Sequence, residues 1–292
     1  MKKDFEVWPG PMEGVGSNEF VRAASALHLT GVWMTPFIRL TQSVPTLKKM
    51  VNGISAYLES GLPVVVQLMG DDPEILGRCG KMLLALPNVT GINLNMGCPS
   101  LRVVKHGAGG GWLKEPLRAA EFALKVAETL PEGVFSVKLR SGFDDPGDME
   151  IFLPELANHG KVSKIFFHYR TVKEGYSFST LPYRQERIRR AVELCGKVPL
   201  IANGDIDSVE NAEDLLCRTG AAGVMIARPW MRDPYLLRRF TGNAPDAAEG
   251  RECFFARLRE NGVSGGALIE MARMLWGSES ERFREVVRQE NA

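Results

Sequence analysis

The hydrophobic pattern switches repeatedly along the chain between short apolar runs and longer segments with helical spacing. The predicted strands are Phe5–Pro9, Gly31–Thr35, Pro63–Met69, Gly91–Asn95, Phe135–Arg140, Lys164–Tyr169, Pro199–Asn203 and Ala222–Ala227. Runs such as Val64-Val-Val and Val224-Met-Ile suit parallel strands buried on both faces. The intervening predicted helices are Ser17–Leu27, Leu47–Glu59, Pro73–Ala85, Pro116–Leu130, Met149–His159, Arg184–Cys195 and Ser208–Thr219. Eight strand–helix units are what a closed (β/α)8 TIM barrel requires. The rival, an open doubly wound sheet, is disfavoured because no GxGxxG follows the first strand. Trp230–Phe240 reads as the last barrel helix and Gly242-Asn-Ala-Pro245 as a linker. Ala247–Asn261, Gly266–Trp276 and Glu279–Gln289 read as a small C-terminal helical domain. The expected domains are therefore 1–241 and 246–292.

Composition narrows the class without naming a function. The chain has 292 residues, 45% hydrophobic and 24% charged, which is ordinary for a globular protein. Its net charge of +1 advertises no global basic field, although a local patch suffices for nucleic acid. The cysteines, at 79, 98, 195, 217 and 253, form no CxxC pair, so no metal site is expected. No apolar run approaches the ~20 residues that span a membrane. The start, Met1 to Trp8, carries charges but no apolar leader core, so a cytoplasmic protein with free thiols is expected.

Most of the conspicuous polar residues fall at or just after a predicted strand end, and a barrel gathers those ends on one face. The fourth strand ends in Asn95, followed by Gly97, Cys98 and Pro99, then by Gly107, Gly109, Gly110 and Gly111. The glycines predict a loop that lets backbone approach a ligand. Pro9 to Val15 is a fixed bend that either places Met12 and Glu13 near the mouth or is simply a turn. Gln67 ends the third strand with an amide suited to a heteroaromatic edge. Lys138 and Arg140 share a face of the fifth; inside a barrel they need an anion, while outside they are a surface pair. His168 is either a satisfied core histidine or a site residue. Asn203, Gly204, Asp205, Ala227 and Arg228 follow strands seven and eight, where barrels commonly hold a phosphate. Together these suggest a phosphorylated planar cofactor such as FMN. Cys98 serves either as a neutral general acid or as a nucleophile, but no strand-end His–Asp pair is visible to activate it.

These residues form motifs: Pro11-Met-Glu-Gly-Val15, Gln67-Leu-Met-Gly70, Asn93-Leu-Asn-Met-Gly-Cys-Pro-Ser100, Val137-Lys-Leu-Arg140, His168-Tyr-Arg-Thr171, Ile201-Ala-Asn-Gly-Asp205 and Val224-Met-Ile-Ala-Arg228. In order and spacing, from residue 11 to about 240, the chain resembles the tRNA-dihydrouridine synthases, in particular the bacterial subfamily acting on uridine 16. The resemblance implies an FMN-dependent reductase of a uridine C5–C6 double bond in tRNA, with NADPH as reductant. It implies that Pro11, Met12, Glu13, Gln67, Lys138 and His168 hold the flavin, and that Asn203, Gly204, Asp205, Ala227 and Arg228 hold its phosphate. It places Asn95 and Arg170 at the target uracil, Tyr176 against tRNA, and Cys98 as the proton donor. The helical domain would hold tRNA, and no obligate protein partner is implied, so a monomer is expected.

Three departures from the family pattern set further expectations. Ala227-Arg-Pro-Trp230 stands in place of Gly-Arg-Gly, so Pro229 removes one N–H from the phosphate loop. Tyr169 stands in place of a glycine, which would put a ring beside the flavin pocket. The tail from Asp246 has seven arginines, no lysine and nine acidic residues, an unusual RNA footprint. Arg273 is its candidate RNA contact, with a solvated helix arginine as the alternative. A flavin-dependent reductase of a small pyrimidine or activated alkene is the rival activity. A non-catalytic RNA-binding barrel is the third reading.

Overall fold

The computed structural model describes residues 5–176 and 180–291; the charged start, residues 1–4, lies outside the described residues. Its strands are β1 (Glu6–Pro9), β2 (Trp33–Met34), β3 (Ile38–Arg39), β4 (Val64–Met69), β5 (Val89–Met96), β6 (Phe135–Arg140), β7 (Lys164–His168), β8 (Leu200–Asn203) and β9 (Gly223–Ile226). The first barrel helices are α1 (Asn18–Ala26), α2 (Leu47–Asn52), α3 (Ser55–Glu59), α4 (Pro73–Leu84), α5 (Leu101–Val104) and α6 (Pro116–Glu128). They are followed by α7 (Met149–Asn158), α8 (Arg184–Cys195), α9 (Val209–Thr219), α10 (Arg228–Arg232) and α11 (Leu236–Arg239). The tail is α12 (Ala247–Glu260), α13 (Gly265–Trp276) and α14 (Glu281–Glu290).

All eight predicted strands form, and every pairing is parallel. The order β1-β9-β8-β7-β6-β5-β4-β2 wraps the sheet into a (β/α)8 barrel, nearly closed where β1 meets β2. The unpredicted β3 is a two-residue extension that pairs Ile38 with Leu68 and Arg39 with Met69. The predicted helix 47–59 is two helices, because the first ends at Gly53 and the second restarts after Ile54. The glycine-rich stretch is also not an open loop: it holds α5 and a 3-10 helix over Gly109–Lys114.

Strand periodicity of two partitions the side chains. Outward residues such as Val64, Val66, Leu68, Ile92, Leu94, Val137, Leu139, Ile165 and Phe167 join the main core under the helices. Trp8, Met34, Val65, Phe166, Ile201 and Met225 form a separate apolar cluster inside the barrel. Above that cluster, continuing the same inward alternation, come Gln67, Asn93, Asn95, Ser136, Lys138, Arg140, His168 and Asn203. The apolar plug closes the barrel below, and the polar positions lie toward the carboxyl ends of the strands.

Local signals fix where the helices begin and end. Asp72 caps α4, accepting from the N–H groups of Glu74 and Ile75, with Pro73 in the first turn. Ser208 caps α9 through the Asn211 N–H, and Gly220 ends it in the left-handed region at φ 73°. The tail helices share the main core: Phe254 of α12 meets Phe20 of α1 edge-on at 5.3 Å, and Phe20 meets Trp230 at 5.5 Å. Among the described residues no helix is long and apolar enough to cross a membrane.

Candidate active site

The site begins with an amide chain across three neighbouring strands. Gln67 donates to Asn93 Oδ1 at 2.8 Å, and Asn93 donates to Ser136 Oγ at 2.9 Å. Asn95 Nδ2 donates to Gln67 Oε1, also at 2.8 Å. These groups are buried, and their mutual bonds fix which end of each amide is which. The remaining oxygen of Asn95 accepts from the N–H groups of Gly97 at 3.2 Å and Cys98 at 3.0 Å. The strand-end asparagine therefore folds the next turn and sets Cys98 at the mouth.

Cys98 is partly buried, and burial pushes its thiol pKa up. Glu13 acts in the same direction, while Arg140 and Lys138 oppose it. The net result is a protonated thiol at neutral pH. Behind it, Gly109, Gly110 and Gly111 are buried against protein. A Cβ at Gly109 would lie 3.1 Å from Cys98 Cβ, and one at Gly110 would lie 2.9 Å from the Cys98 carbonyl oxygen. These glycines thus let the following segment pack onto the cysteine turn, which corrects the expectation that they admit a ligand.

Cations gather on the neighbouring strand β6 and beyond it. Lys138 pairs in register with Asn95 and has no hydrogen bond or ion pair among the described residues. Burial lowers its ammonium to about 8, and Arg140 adds to the effect. Arg140 is 2% exposed and donates to the carbonyls of Gly97 (2.9 Å), Thr171 (2.9 Å) and Gly175 (3.1 Å). It therefore ties the cysteine turn to the loop after β7. His168 is held neutral by burial and by the nearby Arg140, Lys138, Arg170 and Arg228. Its Nδ1 accepts from the Arg170 N–H at 3.2 Å, which leaves the proton on Nε2.

Asp205 is the carboxylate that Arg170 and Arg228 share. It sits at φ 54° and receives Arg170 at 2.7 Å and Arg228 at 3.6 Å. Gly204, at φ 113°, has no room for a side chain, since a Cβ would stand 2.8 Å from the Tyr169 ring. Tyr169 does not face the mouth: it is fully buried among the outward residues and donates its hydroxyl to Asp205. Its ring stacks beside that of His168 at 5.6 Å, so the tyrosine that replaces a glycine lies next to the site with its hydroxyl tied to Asp205. Pro229 lies in the first turn of α10, where a missing N–H is tolerated.

The structure brings the other expected residues together unevenly. Pro11 and Met12 are half-buried, and Glu13 is exposed within electrostatic reach of Cys98. Asn203 donates its amide to the Met225 carbonyl at 2.8 Å, which supports the β8–β9 edge. Ala227 abuts the bend after β1, 2.6 Å from where a Cβ on Gly10 would be. Arg170 is fully buried on Asp205. Tyr176 is 62% exposed, with Arg140 and Arg228 each 5.0 Å from its ring and His168 edge-on at 6.4 Å. Arg273 lies away from this group on α13, paired with Glu270 at 2.5 Å. Sequence reading missed Asn93 and Ser136 as parts of the site and left Arg140 open between an inward cation and a surface residue. The inward alternation on β5 and β6 was the available signal. It also missed Glu174, which accepts from the Thr171 N–H, Tyr183 and Arg187 and so fixes the base of the loop bearing Tyr176.

A family model described as dihydrouridine synthase matches residues 9–264. A probable tRNA-dihydrouridine synthase of Helicobacter pylori is 31% identical over 62% of this chain and 54% of its own length. A tRNA-dihydrouridine(16) synthase of Cupriavidus necator is 34% identical over 64% of this chain and 56% of its own length. One of Ralstonia nicotianae is 31% identical over 80% of this chain and 71% of its own length. The chain thus spans about half the length of the first two relatives and more of the third. Among solved structures, an old yellow enzyme of Trypanosoma cruzi matches with a TM-score of 0.54 at 10% identity. That match covers 85% of this chain and 88% of the other, a likeness of fold.

Proposed function

The chain belongs to the dihydrouridine synthase family, and from that premise we propose that it reduces the C5–C6 double bond of a uridine in tRNA, with FMN as cofactor and NADPH as reductant. Uridine 16 is the proposed target, supported by the likeness to the tRNA-dihydrouridine(16) synthases of Cupriavidus and Ralstonia.

The residues present fit the cofactor. Lys138 is a largely buried cation with no acid within ion-pair distance among the described residues, and Arg140, Arg170 and Arg228 place further positive charge around His168. Such an excess suits a phosphorylated, electron-rich ring. Lys138, His168 and Gln67 would hold the ring system, with Pro11, Met12 and Glu13 along its edge. Gly204, Asp205, Ala227 and Arg228 would hold the phosphate, with Asn203 bracing the strand beneath. Bound FMN, when reduced, supplies hydride to C6 of the uracil.

The chain's own task is to position the base and deliver a proton. The base must first leave its stack to reach groups buried at the strand ends. Asn95, already fixed by Gln67, lies beside Cys98 and is the proposed contact to the uracil edge. Arg170, clamped on Asp205, would help to shape the far wall, and Tyr176 would meet the RNA at the rim. Cys98 keeps its proton at neutral pH and gives it to C5. The Cys98 thiol held at the barrel mouth by Asn95 is the observation that carries the reading. Purified protein with NADPH and unmodified tRNA should form dihydrouridine, mapped by position. Absence of dihydrouridine at every uridine would sink the proposal.

A further inference from the structure

The arginines of the tail are already occupied by neighbouring carboxylates. Arg257, Arg259, Arg273, Arg282, Arg284 and Arg288 each pair with a glutamate, and Arg251 donates to the Arg232 carbonyl. A cation so paired has less to offer a phosphate, since its local field is largely cancelled. The lip of the barrel beside Cys98 is different. Arg39, Arg102 and Lys105 are exposed and have no acidic partner among the described residues.

These three share one edge. Arg39 ends β3 opposite Met69. Met69 packs with Val103, Ala108, Phe37 and Cys98, so β3, α5 and the cysteine turn form one unit. Arg39 and His106 line the same cavity, of about 470 Å³, and His106 is hydrogen-bonded to the Arg102 carbonyl. Asp71 and Asp72 also line it, and Asp72 is engaged in capping α4. Leu101, 76% exposed at the start of α5, adds an apolar face next to the charges.

Resting on the proposed activity toward tRNA, we infer that the RNA phosphate backbone crosses the lip formed by Arg39, Arg102 and Lys105, and that α12–α14 contribute little electrostatic binding. The occupant is polyanionic RNA, because an exposed cationic edge beside an apolar side chain complements a phosphate–ribose backbone. Each phosphate neutralised contributes about 0.7–0.9 to the slope of log K against log salt.

The test is binding of unmodified tRNA to the flavin-loaded enzyme across a salt series. The triple variant Arg39→Gln, Arg102→Gln, Lys105→Gln should bind at least tenfold more weakly at about 0.1 M salt, with its slope smaller by about 2. The tail variant Arg257→Gln, Arg273→Gln, Arg288→Gln should keep the parental slope. Melting temperature, flavin content and NADPH oxidation without tRNA should be unchanged in the lip variant. If the triple variant loses flavin or melts early, Arg39→Gln and Lys105→Gln are read singly, each with a slope change near 1. A parental slope in the lip variants, or a loss of slope in the tail variant, overturns the inference while leaving the activity standing. Failure of the parent enzyme to bind or modify tRNA overturns the activity instead.

Discussion

Lys138 offers a quantitative test of the cofactor site. Its ammonium is buried without an acidic partner, and its pKa falls from 10.5 to about 8. At about 1.4 kcal/mol per tenfold change in proton affinity, that fall corresponds to at most about 3.5 kcal/mol. Part of the side chain remains open to the mouth, and solvent there reduces the figure to about 2 kcal/mol. The folded pKa lies below the unfolded one. The cost is therefore present in full below about pH 8 and fades as pH rises toward about 10.5. Lys138→Met removes the charge and keeps an apolar stem. Urea unfolding of flavin-free protein should show the variant about 2 kcal/mol more stable at about pH 7, with the gap narrowing by about pH 9.5. FMN affinity should fall at least tenfold in the same variant. A variant less stable than the parent at neutral pH, or a gap that ignores pH, would refute this account of the cation.

Two further substitutions probe the acid and its support. Cys98→Ala should retain flavin and lose roughly 100- to 10,000-fold in single-turnover dihydrouridine formation, and parental turnover would remove Cys98 as proton donor. Arg140→Met leaves three buried carbonyls without their donor. It should cost roughly 3–5 kcal/mol in urea unfolding, with Arg140→Lys recovering part of the loss, and a cost below about 1 kcal/mol would contradict the clamp.

The barrel was legible because buried parallel strands write themselves as short apolar runs with polar ends. Gln67, Asn95, Lys138 and His168 stood out for the same reason: each interrupts a run at an inward position. Other features leave no one-dimensional trace. Arg140 reaches carbonyls 31 to 43 residues away. The pairing of Arg259 with Glu290 likewise spans 31 residues. The glycines after Cys98 looked like ligand space because their neighbours, Val103, Val104 and Val172, are revealed only by folding. β3 is two residues long, too short for any periodicity to register.

The Arg140 clamp also bears on how this chemistry can be transplanted. The turn bearing the thiol is held from β6, and the same guanidinium holds the loop after β7. A graft of the Asn95–Cys98 motif alone into another barrel would arrive without its brace. The smallest transferable piece is three successive strand–loop units, β5 through β7. The acid belongs to that cassette as a whole, and exchange of any one unit by recombination would separate the proton from its address.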